Sequence, residues 1–153
     1  MDDDCSMACC GVTQRRNVSD LFDRGLRRSR QAPLAIQGET HRDANGFTAS
    51  FSLAAHGGVL GKIGFKASTC VTLVAYCELI AELTAGQDIA QAARLSPSDL
   101  VAELPNVPAL KRDRAPLAIA AFRDALAAAS TLSNQSTQGE HYEGRLHLRH
   151  AAP

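Results

Sequence analysis

The chain has no tryptophan, and aromatic residues make up only 5% of it. A core without bulky rings must be filled by aliphatic side chains and alanine, and alanine supplies much of the 45% apolar content. This composition predicts closely packed, Ala-rich helices around a small sheet, in one domain with room for a tail. Charge of one sign is also missing. Lys plus Arg and Asp plus Glu are balanced at 16 each, which argues against a broad electrostatic nucleic-acid binder. No stretch approaches the ~20 consecutive apolar residues of a membrane-spanning helix, so no membrane association is expected. The opening Met1-Asp2-Asp3-Asp4 has neither the basic nor the apolar part of an export signal, and a cytoplasmic location is expected. Walker loops, GxGxxG, a nucleophile elbow and paired carboxylates are all lacking, so no enzyme activity is predicted. Gly57-Gly58-Val59-Leu60-Gly61 reads as a hairpin turn, since no helix follows at once to make it a phosphate cradle.

Cysteine is what the chain does have. In a reducing compartment its five thiols stay mostly free. Cys5, Cys9 and Cys10 crowd a segment without periodicity, residues 1–16, which reads as a flexible arm. Cys70 and Cys77 fall in one predicted helix, two turns or roughly 10 Å apart, too far for a disulfide or for chelating one metal together.

Cys70 is the most informative residue. Lys62-Ile63-Gly64-Phe65-Lys66-Ala67 reads as the end of a strand, and Val71 to Ile80 as a helix with Leu73, Tyr76, Cys77, Ile80 and Leu83 on its buried stripe. Ser68 or Thr69 is the natural N-cap, which places Cys70 in the first turn. There it faces unpaired backbone N–H groups and the positive end of the helix dipole. Both favour the thiolate, the form that binds metal or attacks a disulfide. The alternative is a residue that packs or caps without chemistry. Cys77, on the apolar stripe, reads as a small core residue.

Other elements follow from pattern. Asn17 to about Arg30 predicts an amphipathic helix capped by Asn17 or Ser19, with Val18, Leu21, Phe22 and Leu26 apolar and Gly25 a weak point. Its Arg24, Arg27, Arg28 and Arg30 form either a solvated face or a dock for an acidic partner. Leu34 to Ile36 predicts a short strand. Phe47 to Leu53 alternates as a half-buried strand does, and it pairs with Val59 to Ala67 across a turn at His56-Gly57-Gly58. Gly86 ends the Cys70 helix, and Asp88 to Ala93 is a short helix. Ser96-Pro97-Ser98-Asp99 is a strong helix start. Pro105 and Pro108 shape a loop, and a last helix runs from about Asp113 to Ala129. Residues 130–153 read as a disordered tail. Its histidines, His141, His147 and His150, are weak metal ligands at most; His56 is a turn residue, and His41 is the best placed histidine ligand.

The order of elements resembles the NifU/IscU-type iron–sulfur cluster scaffold family over residues 17–129. The likeness is best in Gly64-Phe65-Lys66-Ala67-Ser68-Thr69-Cys70, where the family has a strand running into its second cluster cysteine. It continues through Thr84-Ala85-Gly86-Gln87-Asp88-Ile89-Ala90-Gln91-Ala92, Leu104-Pro105 and Leu117-Ala118. The resemblance implies an α+β fold, a small antiparallel sheet of about three strands packed against several helices. It also implies three cysteines and an aspartate that hold a nascent cluster. Only the second cysteine is matched, by Cys70. Asp43 or Ala44 stands near the first, Asn45 near the aspartate, and Arg112-Asp113-Arg114 replaces the third. Asp43, Asn45 and Asp113 are the oxygen groups within possible approach of Cys70.

The expected function is therefore an iron–sulfur scaffold-like protein that binds iron, sulfide or a transient cluster through Cys70. The cofactor would be that cluster or a single Fe or Zn ion. The resemblance implies a cysteine desulfurase and apo iron–sulfur proteins as partners, with a homodimer also open. The N-terminal cysteines are a candidate source of missing ligands, or a thiol and metal store of their own. The alternative is a cluster-incompetent homologue that acts as an interaction module for assembly partners.

Overall fold

The computed structural model describes residues 16–139. Five helices and four strands follow one another as α1 Val18–Ser29, β1 Ile36–Gln37, β2 His41–Arg42, β3 Thr48–His56, β4 Val59–Ala67, α2 Val71–Thr84, α3 Ile89–Ala92, α4 Pro97–Glu103 and α5 Arg114–Gly139. This is the expected α+β architecture. β3 is the centre of the sheet. β4 pairs with it antiparallel in the register Phe51 to Phe65, and β1 and β2 pair antiparallel with it at Leu53 and Ala49 respectively. The strand expected over Leu34 to Ile36 is found as Ile36–Gln37, and the short strand His41–Arg42 is not expected from the sequence. The hairpin turns at Gly57 and Gly58, both at positive φ, which glycine adopts without strain.

α2 runs through the middle of the fold. Every residue from Thr72 to Ala81 is buried, where the sequence predicts only a stripe. The helix is enclosed by α1, α5 and β4, and its run of apolar residues matches burial on all sides. α1 approaches closely because Gly25 has no side chain: a Cβ there would lie 2.7 Å from Val74 Cγ1. Glu78 of α2 is 2% exposed and is held by Arg28 of α1, whose Nε donates at 2.6 Å. The remaining donors of Arg28 reach Glu78 Oε1 and the Ile63 carbonyl of β4.

Three phenylalanines tie the layers together. Phe51 of β3 lies 5.8 Å from Phe65 of β4 and 5.3 Å, edge-on, from Phe122 of α5. α5 presents Ala115, Ala118, Ala121, Ala125 and Ala129 to the core beside Leu117, Ile119 and Phe122. It runs on to Gly139 rather than ending near Ala129. Ser130, Thr131 and Ser133 return their hydroxyl protons to carbonyls one turn earlier, so these polar residues stay within the helix. The helical stretch Ala109–Gln135 is long and apolar enough to cross a membrane, but half of it is buried in this fold, as a core helix is. The arm with Cys5, Cys9 and Cys10 and the tail with His141, His147 and His150 lie outside the described residues.

Candidate functional site

Cys70 sits where β4 gives way to α2. The sheet is closed off just before it: Ser68 N donates to the Thr48 carbonyl at 2.9 Å, and Thr48 N donates to Ser68 Oγ at 2.9 Å. Ser68 is therefore spent on β3 and does not cap α2. The N-cap is Cys70 itself, extended at φ −125° and ψ 123°, with no hydrogen bond from its side chain to the first turn. The thiol stands at the cap itself, where the sequence predicts Ser68 or Thr69, and not within the first turn. It is partly buried, while the next residue, Val71, is 48% exposed.

Two other segments meet at Arg114, whose pKa Cys70 influences. The first is the turn after β2. Asp43 Oδ1 accepts from both Asn45 N and Phe47 N at 2.9 Å, so its carboxylate shapes its own turn. The turn delivers Phe47. The second is the start of α5, where Arg114 lies with its guanidinium 4.2 Å from the centre of the Phe47 ring. Arg114 also donates to Asp113 Oδ1 at 2.6 Å, and Cys70 is among the neighbours that raise its pKa. Burial lowers the Arg114 pKa and is the largest single influence. Cys70 and Asp113 together outweigh it, the net shift is upward, and the guanidinium stays charged. Its side chain is only 12% exposed, and its Nε is buried without a hydrogen-bond partner among the described residues.

The site is thus one thiol, one fixed cation and the aromatic ring that carries the cation. Of the oxygen groups expected near Cys70, Asp113 arrives through Arg114, Asp43 serves its turn, and Asn45 is exposed. His41 faces Asp124 of α5 at 3.9 Å. Among the described residues no three His, Cys, Asp or Glu side chains come together in a group able to hold a metal. An iron–sulfur cluster needs several thiolates, and the donors gathered at Cys70 do not by themselves supply them. Cys77 is fully buried, and burial pushes its thiol pKa up, in keeping with a core role. Arg114 and Phe47 are the site residues that sequence reading missed. The available signal was Arg114's place in the segment that replaces the family's third cysteine.

A groove of about 580 Å³ opens beside the start of α2, lined by Asn17, Val71, Thr72, Pro105, Val107 and Lys111 among others. The groove reaches Val71, the residue after Cys70, and its walls are mixed polar and apolar.

The sequence matches the NifU-like N terminal domain family over residues 22–135. A solved structure of a nitrogen-fixing NifU-like protein (N-terminal) from Brucella abortus is similar at 16% identity, covering 73% of this chain and 87% of that one, with a TM-score of 0.36. No curated protein matches the chain. With three of the four quarters of its length inside the family match, and a strand running into Cys70 ahead of a buried helix, the chain belongs to the family of NifU-like N-terminal domains, the iron–sulfur cluster assembly scaffolds.

Proposed function

We propose that this chain serves iron–sulfur cluster assembly through Cys70, which accepts sulfur from a persulfide donor and passes it to an acceptor. Iron and the finished cluster are cargo, held only when ligands beyond Cys70 are added. Cys5, Cys9 and Cys10 or a second chain are the candidate sources. The partners are a cysteine desulfurase and apo iron–sulfur proteins, and the groove beside Val71 is where we place their approach.

The observation that carries this reading is the position of Cys70, a partly exposed thiol at the N-cap of α2 where β4 ends. The transfer balances without an outside oxidant. The ionised Cys70 sulfur attacks the terminal sulfur of R–S–SH, a new S–S bond forms, the donor S–S bond breaks, and R–S⁻ leaves. The proton stays on the transferred sulfur.

An anaerobic assembly reaction tests it, with ferrous iron, L-cysteine, a cysteine desulfurase and an apo acceptor. The full chain should speed the appearance of cluster absorption in the acceptor, and Cys70→Ala should not. Equal acceleration by both proteins would move the work away from Cys70.

A second reading is favoured by Arg114, which stands in the segment replacing the third family cysteine. It is that of an interaction module that regulates assembly without carrying cargo. Desulfurase binding that survives in Cys70→Ala, with no acceleration by the wild-type chain, would select it.

A further inference from the structure

We propose that the groove beside the start of α2 is the seat of this chain's own N-terminal segment, residues 1–15, which a partner entering the groove must displace. The seat itself stands on the groove and on the sequence of the segment. The displacement rests on the reading of this groove as the partners' approach.

The segment leaves from the groove itself. Arg16, Asn17 and Val18 form part of the wall, and the first two are tied down. Arg16 Nη1 donates to Glu103 Oε2 at 2.5 Å, at the end of α4. Asn17 Oδ1 accepts from Ser19 N at 2.8 Å as the cap of α1. Residue 15 is bonded to a residue of the wall, so the chain ahead of it starts at the groove. From Arg16 back to Asp4 is 12 residue steps (16 − 4), or up to ~40 Å of extended chain. The groove, at about 580 Å³, is in the size range of ligand-holding clefts. A tethered segment works at a high effective concentration, so weak contacts are enough to seat it.

The walls match the sequence of the segment. Val71, Leu104, Pro105, Val107 and Pro108 make them largely apolar, and Val71 is 48% exposed. Among the described residues the charged side chains of the lining are Arg16 and Lys111, both cationic, and no carboxylate joins them. Glu103 neutralises Arg16, while Lys111 takes part in no ion pair among the described residues. The stretch from Cys5 to Gln14 carries no charge and includes Met7, Ala8 and Val12. It can lie along apolar walls without burying an unpaired ion. Ahead of it, Asp2, Asp3 and Asp4 supply carboxylates for Lys111 and the neighbouring Arg112.

The test is disulfide trapping in the full chain. Asn106→Cys puts a thiol on the groove wall, and Lys62→Cys puts one at an exposed position of β4 outside the lining. Both proteins also carry Cys70→Ser. With Cys77 buried, Cys5, Cys9 and Cys10 are then the partners open to the introduced thiol. Dilute protein is treated briefly with diamide, and the linked peptides are identified by mass. The segment should link to the Asn106→Cys thiol about tenfold faster than to the Lys62→Cys thiol, because seating raises its effective concentration at the groove. Replacing Asp2, Asp3 and Asp4 by Asn should slow that link about fivefold, the scale of one exposed ion pair. Equal rates at the two positions would overturn the seat. A link joining two chains would overturn it too, by putting a second copy in the groove. An unchanged rate without the three carboxylates would overturn Lys111 and Arg112 as their counterparts. A cysteine desulfurase added before diamide should lower the link at the groove. If the link forms there and the desulfurase leaves it unchanged, the seat stands and the reading of the groove as the partners' approach falls.

Discussion

The guanidinium of Arg114 lies 4.2 Å from the centre of the Phe47 ring, which joins the first turn of α5 to the turn that follows β2. Phe47 is also where the Asp43 turn ends, since its N–H donates to Asp43 Oδ1. The loop, the ring and the cation therefore form one unit. Phe47→Leu keeps the apolar volume but removes the π face. Stability to urea should fall by about 1 kcal/mol, the scale of a partly buried cation–π contact. An unchanged urea midpoint would mean that the stack adds nothing to stability.

Arg28 and Glu78 make a different kind of pair. Glu78 is 2% exposed, and both its oxygens accept from Arg28. Removing the cation strands a buried carboxylate, which is costlier than removing both partners. Arg28→Met should cost about 3 kcal/mol in urea denaturation, and Arg28→Met combined with Glu78→Leu should recover most of it. A double variant as unstable as the single would show that the lost contact with the Ile63 carbonyl, not the stranded charge, sets the cost.

Gly25 is tested by adding one methyl. On propensity alone Gly25→Ala should stabilise α1 by about 1 kcal/mol. The new Cβ would meet Val74 Cγ1 at 2.7 Å and the Val74 carbonyl at 3.1 Å, and that backbone cannot step aside cheaply. We expect a net loss of about 1–3 kcal/mol from overpacking, read as a lower urea midpoint with an unchanged slope. A stabilised variant would show that α1 and α2 can separate without cost.

The start of α4 gives a pH dependence. Ser96 and Asp99 form a capping box: Asp99 Oδ2 accepts from Ser96 N and Oγ, while Ser96 Oγ accepts from Asp99 N. The backbone hydrogen bond from Ser96, then the side-chain one, holds the Asp99 carboxyl below its usual range. A depressed folded pKa contributes stability that is present above the unfolded value of about 3.9 and is lost as pH falls through the folded one. Thermal melts from neutral pH down to about pH 3 should therefore show wild type losing more on acidification than Asp99→Asn. At neutral pH, Ser96→Ala should cost about 1 kcal/mol. Parallel acid titrations of wild type and Asp99→Asn would remove the box as a source of acid sensitivity.

The elements written in local pattern were the legible ones. Ser96-Pro97-Ser98-Asp99 announces α4 because a capping box is a four-residue device, and Asn17 caps α1 as its position predicts. The β3–β4 hairpin follows from alternation and two glycines. What escaped sequence reading depends on distant partners. Ser68 has the chemistry of an N-cap, but Thr48 on the neighbouring strand takes its hydroxyl and leaves the cap to Cys70. Gly25 looks like a flaw in α1 until Val74 is placed against it. α2 shows a stripe only if one face meets water, and here three elements enclose it. The position of Cys70 between strand and helix was legible too. Arg114 was not, because no local pattern tells an arginine at the start of a helix to fold onto a ring 67 positions earlier (114 − 47).

The most direct measurement of the central claim is peptide-level mass spectrometry of the full chain after anaerobic incubation with a cysteine desulfurase and L-cysteine. The account predicts one added sulfur on the peptide that contains Cys70, absent when L-cysteine is left out and absent from that peptide in Cys70→Ser. Sulfur found only on the peptide with Cys5, Cys9 and Cys10, with Cys70 unmodified, would contradict it.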